Sequence, residues 1–165
     1  MLFQFPDDSF FAETVFEEVA FGIKDLELDK GETSARVKDT LNLIGIDIEQ
    51  FGERNPFTLS AGERRRVAIA AVLIMDSPVT IFDESTLGLD WEGRSAIVEL
   101  LRNLREAGKT IIVISHDCEF VKSTADRLLL IDHGRVHWQG RISDTGQPRE
   151  FMNSKLGWSV DDVKT

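Results

Sequence analysis

Two polar groups in this sequence follow apolar runs and carry side chains that could act on a phosphate ester. Asp83 and Glu84 directly follow the apolar run at residues 79–82, and His116 lies just beyond the run at residues 110–114. Ligands gather at the carboxyl ends of parallel strands, so the three side chains converge if the two runs form neighbouring strands. The Asp could then hold a phosphate-bound Mg²⁺, the Glu could orient or deprotonate an attacking water, and the His could contact the terminal phosphate.

Each of these groups also has a plain structural interpretation. An Asp-Glu pair after a strand commonly begins a polar loop, and a single His is commonly satisfied by its neighbours. Their occurrence together, and in this order, favours the functional interpretation.

A helix start with phosphate-binding character lies upstream of the two carboxylates. Ser60 and Glu63 have the spacing of a capping box, in which the serine caps the helix and the glutamate reaches back to the serine. Such a helix N-terminus presents free N–H groups and a positive dipole end, which suit an anion. Gly62 has no side chain to block a phosphate, so capping and phosphate binding are compatible here.

The N-terminal half of the chain is predicted to be helical. A helix over residues 12–22 carries Val15, Val19 and Gly22 on one face, and an acidic loop over residues 25–31 follows it.

Two further helices are predicted before the first strand. Val37, Leu41 and Ile44 recur at helical spacing, and Gly45 is predicted to end that helix. The helix capped by the serine runs on through residues 67–75, which are apolar all round, so its end is expected to be buried.

The C-terminal half predicts buried strands. Residues 79–82, 110–114 and 128–131 are short apolar runs, the first suited to a strand covered on both faces. A helix that Gly108 ends separates the first two, and His133-Gly134 turns the third into a further strand. A strand, a helix and a strand with short links predict a parallel sheet and an α/β fold.

Composition limits the classes of function. Apolar residues make up 42% and charged residues 29%, which fits a soluble globular chain, and no apolar run approaches the roughly 20 residues of a membrane span. The net charge of −10 argues against a nucleic-acid partner. The only basic run, Arg64-Arg65-Arg66, is predicted to be a solvated helix face. A single cysteine, Cys118, favours a reducing cytoplasm.

The combined motifs resemble those of ABC ATPases. The Q-loop, signature, Walker B, D-loop and switch histidine of that family are matched in order by Gln4, Leu59-Ser60-Ala61-Gly62-Glu63, Asp83-Glu84, Leu89-Asp90 and His116. Further segments are similar to the energy-coupling-factor (cobalt/vitamin importer) branch, among them Phe3-Gln4-Phe5-Pro6-Asp7-Asp8, Glu18-Val19-Ala20-Phe21-Gly22 and Glu63-Arg64-Arg65-Arg66-Val67-Ala68-Ile69-Ala70. The resemblance covers residues 1 to about 140.

The resemblance implies a partial P-loop NTPase (RecA-like) ABC fold, with a parallel sheet core and an α-helical subdomain. The Q-loop and the helical signature subdomain would occupy residues 5–76. The RecA-like core with Walker B, D-loop and switch histidine would occupy residues 77–140, and residues 141–165 would form a C-terminal extension.

The resemblance also implies catalytic and metal-binding roles. Asp83 would help to hold Mg²⁺, Glu84 would be the catalytic base, and His116 would contact the γ-phosphate of ATP. Gln4 would link the Mg²⁺ site to the helical subdomain.

The family sandwiches ATP between two head-to-tail subunits, so the remaining motifs imply partners. Ser60, Gly62 and Glu63 of the signature would lie at ATP bound on a second ABC ATPase subunit, and Asp90 would lie at the dimer seam. The Phe-rich segment 10–21 would face a transmembrane coupling subunit of an importer, at the cytoplasmic face of the membrane.

The sequence departs from the family in ways that bear on activity. Ala61 replaces the usual second signature glycine, Ser85 replaces the usual proline after Glu84, and no Gly-x-x-x-x-Gly-Lys-Ser/Thr phosphate loop (Walker A) occurs in the chain. The expectation is therefore an ATPase whose present chain is inactive alone and lacks the N-terminal Walker A portion. An alternative is a non-catalytic half-subunit that lends its signature in trans, and a DNA-repair or translation ATPase is disfavoured by the acidity.

Overall fold

The computed structural model describes residues 10–84, 86, 89 and 91–144. The chain divides into two compact units, Met1–Ile114 and Ser115–Thr165. Gln4 and Asp90, both predicted site residues, lie outside the described residues.

The first half of the first unit is helical, as predicted. Helix α1 packs against α2 and α4, and the side chains between them, including Val15, Val19, Val37 and Leu41, are fully buried. The helices are α1 (Val15–Ala20), α2 (Lys30–Leu43), α3 (Ile48–Phe51) and α4 (Ala61–Leu73), with 3-10 turns at Phe21–Ile23 and Pro56–Thr58.

Capping residues set the starts of these helices, and they correct two predicted boundaries. Helix α1 begins at Val15 rather than near residue 12, because the Thr14 side chain accepts a hydrogen bond from the Glu17 backbone. Helix α2 begins inside the predicted loop 25–31, because Asp29 and Glu32 form a capping box. The predicted end of α2 is confirmed, since Gly45 has a φ of 68°.

The end of α4 differs from its prediction in length and burial. The helix ends at Leu73, and Asp76 takes a left-handed φ of 51° before the next strand. Val67, Ala70 and Ile74 are buried as expected, whereas Met75 is 52% exposed because it lies in the turn beyond the helix.

A parallel strand pair forms the rest of the first unit, which confirms the predicted strand–helix–strand order. Strands β1 (Val79–Asp83) and β2 (Thr110–Ile114) flank α5 (Trp91–Glu106), and they pair in register from Val79 opposite Thr110 to Asp83 opposite Ile114. Helix α5 packs against β2.

The prediction that both strands are buried was wrong for one face of the pair. Thr80 and Phe82 are buried, but Ile112 and Ile114 are 45% and 47% exposed. Successive strand side chains point to opposite faces, and the described part of the unit covers only one of them.

The second unit contains a helix and a β-hairpin. Helix α6 (Cys118–Thr124) precedes β3 (Arg127–Asp132) and β4 (Arg135–Arg141), which pair antiparallel, and Ile142–Asp144 forms a 3-10 turn. His133 and Gly134 have φ values of 48° and 72°, as a two-residue turn with two left-handed positions requires. The predicted turn is thus confirmed.

Strand β3 is half-exposed rather than buried. Leu130 is buried against Val121 and packs with Trp138, whereas Leu129 and Ile131 are 50% and 63% exposed. The hairpin therefore covers its small core with one face. No helix in the described part of the chain is long and apolar enough to cross a membrane.

The close approach of Gly22 to α4 generates a stability prediction. A methyl group at Gly22 would lie 2.8 Å from Ile74 Cγ2 and 2.9 Å from the Ala71 carbonyl oxygen. We expect Gly22→Ala to lower the free energy of unfolding by about 1–3 kcal/mol, measured by urea denaturation. Gly62→Ala is the control, because its added methyl group meets no atom within 4 Å, and a denaturation midpoint that is equal for both variants would contradict the prediction.

Candidate functional site

The parallel pairing places Asp83 and Glu84 at the carboxyl end of β1, beside the end of β2. Asp83 is in register with Ile114, and the backbone N–H of Glu84 donates to the Ile114 carbonyl oxygen at 2.9 Å. The two apolar runs therefore form neighbouring strands, which is the condition on which the predicted convergence depends. Both acidic side chains are partly accessible at this edge.

Glu84 holds an unusual backbone conformation at this edge. Its φ of 48° is left-handed, which costs a non-glycine residue of the order of 1–3 kcal/mol unless the surroundings determine it. The Arg65 Nη2 donates to the Glu84 carbonyl oxygen at 2.8 Å, so Glu84 is bonded on both sides of its Cα.

Arg65 is a residue that the sequence interpretation missed. It is 7% exposed, so the prediction that the arginine run is a solvated face was wrong at this position. A signal was present in the spacing, because Arg65 lies three and four residues before Ala68 and Ile69 and so shares their buried face. Arg65 lies on this mainly apolar face, where its guanidinium donates to the backbone carbonyl oxygen of Glu84.

His116 belongs to the second unit, two residues beyond the end of β2. The next residue, Asp117, caps α6 by accepting a hydrogen bond from the Phe120 backbone at 3.0 Å, and its own N–H donates to Ser115 Oγ at 3.1 Å. The backbone on the C-terminal side of His116 is thus held by a cap. Convergence of His116 with the two carboxylates stays a prediction.

The predicted capping box at α4 is confirmed in detail. The Glu63 backbone N–H donates to Ser60 Oγ at 3.3 Å, and Glu63 Oε2 accepts from both the backbone N–H and the hydroxyl of Ser60 at 2.8 Å. These hydrogen bonds from Ser60 favour the ionised carboxylate and lower the pKa of Glu63 below its ordinary value. Glu63 thereby fixes Ser60 at the start of α4.

Gly62 lies in the first turn of α4 and is exposed. A Cβ built at this position would meet no heavy atom within 4 Å, so the packing of the described chain does not require a glycine. The missing side chain leaves the backbone at the helix start open to an incoming group. The open space at Gly62 is consistent with the approach of a ligand to the start of α4.

The Phe-rich segment presents an aromatic pair, Phe11 and Phe21, which are 62% and 45% exposed. Their rings meet edge to face with centroids 4.5 Å apart, and Lys24 Nζ lies 3.8 Å from the Phe21 centroid. The buried Glu18 carboxylate accepts from the backbone N–H groups of Phe11 and Ala12 at 3.1 and 3.0 Å. Glu18 thus holds the backbone that carries Phe11, while Phe10 is buried in the core.

The fold and these motifs define the class of protein. The family model described as ABC transporter matches residues 1–87, and solved ABC cassettes superpose on the chain with TM-scores of 0.76 and 0.74. The chain belongs to the ABC transporter family and has the α/β P-loop NTPase fold of its ATP-binding cassettes.

Two relatives of this chain belong to the energy-coupling-factor branch of the family. The chain is 38% identical to the energy-coupling factor transporter ATP-binding protein EcfA2 of Clostridium perfringens over 99% of this chain. It is 41% identical to EcfA2 of Thermotoga maritima over 93% of this chain. The chain spans 57% and 59% of the lengths of those two relatives.

Two solved structures of ABC proteins are also similar to this chain. The cbiO1 protein of Clostridium perfringens, described as part of the ABC transporter complex cbiONQ, is 36% identical, and the match covers 94% of this chain and 63% of that one. The cassette MJ0796, in a dimeric structure bound to ADP and Pi, is 28% identical, with 85% of this chain and 61% of that chain covered.

The capping box generates a pH-dependent stability prediction. Because the pKa of Glu63 is lowered from 4.5 by the hydrogen bonds of Ser60, folding is stabilised above that ordinary value. The stabilisation is lost as the pH falls through the lower folded-state pKa. We expect Ser60→Ala to lower the free energy of unfolding by about 1 kcal/mol at neutral pH, with a smaller loss under acidic conditions, measured by urea denaturation across this range.

Thr14→Ala is the matched control, because Thr14 caps α1 by accepting from the Glu17 backbone N–H without the reciprocal glutamate bond that completes the capping box at Ser60. Its cost should change less between neutral and acidic pH than that of Ser60→Ala. A Ser60→Ala cost that is the same at every pH would argue against the role of the Glu63 carboxylate.

Proposed function

We propose that this chain forms part of the ATP-binding and ATP-hydrolysing subunit of an energy-coupling-factor type importer that takes up a metal ion or a vitamin. The proposal rests on one observation at the carboxyl end of the β1–β2 pair. There, two hydrogen bonds hold the backbone of Glu84 beside Asp83. The names of the EcfA2 relatives and of the cbiO1 structure supply the transport context.

The residues at this edge fit the proposed chemistry. Mg²⁺ is commonly bound by one or two carboxylates together with substrate phosphates, and Asp83 offers one carboxylate at the strand end. The described residues contain no group of three or more His, Cys, Asp or Glu that could hold a metal ion, so ATP would supply further ligands. In this proposal Glu84 is the base that deprotonates water, His116 contacts the γ-phosphate, and Gln4 adds a contact at the Mg²⁺ site.

A second ATPase subunit, identical or different, completes the proposed site. Ser60, Gly62 and Glu63 would lie at ATP held by that partner, and Asp90 would lie at the seam. Support comes from the open space at Gly62, from the free N–H groups of the α4 start, and from the dimeric MJ0796 structure.

A transmembrane coupling subunit is the second proposed partner. The aromatic pair offers an exposed apolar contact, with the backbone of Phe11 bonded to Glu18, and aromatic side chains are enriched in protein interfaces. The chain would then act at the cytoplasmic face of the membrane as a peripheral component. Residues 5–76 would form the helical subdomain, residues 77–140 the RecA-like core and residues 141–165 an extension.

Substitution of Glu84 tests the catalytic proposal. No phosphate loop occurs in the 165-residue sequence, so we expect no MgATP hydrolysis by this chain alone. In a chimera in which a phosphate-loop segment of an ABC ATPase precedes residue 1, Glu84→Gln should reduce hydrolysis by roughly 10²–10⁴-fold while ATP binding persists. Glu99→Gln on α5 is the control for the loss of one acidic side chain.

A near-normal rate for the Glu84→Gln chimera would remove Glu84 from the role of base. A chimera that binds a partner but does not hydrolyse ATP in its unsubstituted form would favour the non-catalytic half-subunit instead.

Substitution of Gly62 tests the contribution in trans. Because a Cβ at Gly62 meets no atom of this chain, Gly62→Val should leave the fold intact but obstruct a phosphate. We expect ATP-dependent association with a complete ATPase subunit to weaken roughly tenfold to a hundredfold, as for the loss of hydrogen bonds to a charged group. The association is measured by sedimentation with and without ATP.

Gly31→Val is the control for valine at this helix position, because Gly31 occupies the same position in the capping-box helix α2, where an added Cβ would lie 3.2 Å from Asp29 Oδ1. Equal weakening by both valine variants, or no ATP-dependent association at all, would count against the proposal.

A further inference from the structure

We propose that Arg65 is a positioning residue for ATP hydrolysis, which holds the main chain of Glu84 so that its carboxylate keeps one orientation. The inference rests on the proposed function, because it concerns the residue proposed as the base. Arg65 is not among the residues that the motif resemblance assigns to the site.

Two hydrogen bonds hold the strained backbone of Glu84, one on each side of its Cα. On its N-terminal side, the Glu84 N–H donates to the Ile114 carbonyl of β2 at 2.9 Å. On its C-terminal side, the Glu84 carbonyl accepts from Arg65 Nη2 at 2.8 Å. The left-handed φ of 48° lies between these two bonds, so both help to determine the direction in which the side chain leaves the backbone.

Arg65, which bonds the Glu84 carbonyl group, lies on the buried face of helix α4. Arg65 is 7% exposed and lies on the face of α4 that also carries Ala68 and Ile69, which are 5% and 0% exposed. A hydrogen bond from a charged donor is shorter and stronger than one between neutral groups, and a partly buried one is little weakened by solvent. A displacement of α4 would therefore also displace the Glu84 carbonyl group.

The hydrogen bond from Arg65 to Glu84 connects the two proposed nucleotide contacts of the first unit, the start of α4 and the end of β1. Helix α4 begins immediately after Ser60, and Arg65 follows five residues later, about 7.5 Å along the helix axis. The helix start is the proposed contact to the nucleotide on the second subunit, whereas Glu84 belongs to the nucleotide site of this subunit. Binding of one nucleotide at the start of α4 would therefore affect, through Arg65, the position of the base that acts on the other nucleotide.

The neighbouring arginine provides a matched control. Arg66 Nη1 donates to the carbonyl oxygens of Ile44 and Gly45 at 3.5 and 3.2 Å. It therefore makes the same kind of bond from the same helix, but to the end of α2 rather than to Glu84. Arg65→Met and Arg66→Met each remove a guanidinium and keep a long apolar stem.

The first experiment measures amide hydrogen exchange by NMR in the 165-residue chain, and it needs no catalytic activity. Arg65→Met should accelerate exchange of the Glu84 amide, which is bonded to Ile114, and leave the Gly45 amide unchanged. Arg66→Met should have the opposite effect, since the Gly45 amide is bonded to Asn42 at the end of α2. Equal exchange of the Glu84 amide in both variants would overturn the proposed anchor.

The second experiment measures steady-state hydrolysis in the chimera with the phosphate-loop segment. Arg65→Met should lower kcat roughly tenfold to a hundredfold, the scale expected for a misplaced catalytic group, with KM for ATP unchanged. Arg65→Lys should restore part of the loss, because lysine keeps a charged donor without the planar guanidinium. Arg66→Met should retain the kcat of the unsubstituted chimera.

A double substitution separates this inference from the proposed function. If Arg65 acts through Glu84, then Arg65→Met should cost no further activity in a Glu84→Gln background. A full additional loss in that background, or a change in KM alone, would overturn the positioning role. If Glu84→Gln leaves hydrolysis intact, the proposed function fails, whereas the exchange experiment still decides whether Arg65 anchors Glu84.

Discussion

The parallel pairing of β1 with β2 is the interaction on which the candidate site depends. The pairing runs without a shift from Val79 opposite Thr110 to Asp83 opposite Ile114, so the two strands end together. The same ladder extends by one hydrogen bond to the Glu84 N–H. A one-residue slip would reverse the faces of every side chain on the strand and would move Asp83 and Glu84 away from the edge where ligands gather. The register therefore places the two acidic groups before any ligand is present.

The helical part of the first unit adds a second constraint to the same edge. Helix α4 starts at a capping box and carries Arg65 on its buried face, so one rigid element bears both the exposed Gly62 and the anchor of Glu84. The position of α4 is set in turn by its packing against α1 and by the close approach of Gly22 to Ile74. The proposed nucleotide chemistry thus depends on ordinary helix packing at some distance from the carboxylates.

Local motifs were predicted well because their physics is local. The capping box at Ser60, the helical stripe of Val37 and Leu41 and the turn at His133-Gly134 all depend on neighbours within a few residues. Predictions of burial were less accurate, as the exposed Ile112 and Ile131 show. An apolar run indicates that a strand can be covered, but which face is covered depends on elements that are remote in sequence.

The sequence by itself determined the family, the order of the motifs and the chemical nature of the proposed site. Carboxylates at a strand end and a glycine at a helix start are properties of residue type and spacing. Only the tertiary structure decided that Glu84 has a left-handed backbone and that Arg65, nineteen residues earlier, donates to its carbonyl group. The reason is that a run of three arginines indicates a charged surface, and its middle member becomes an internal hydrogen-bond donor only when the folded chain brings α4 within reach of the Glu84 carbonyl group.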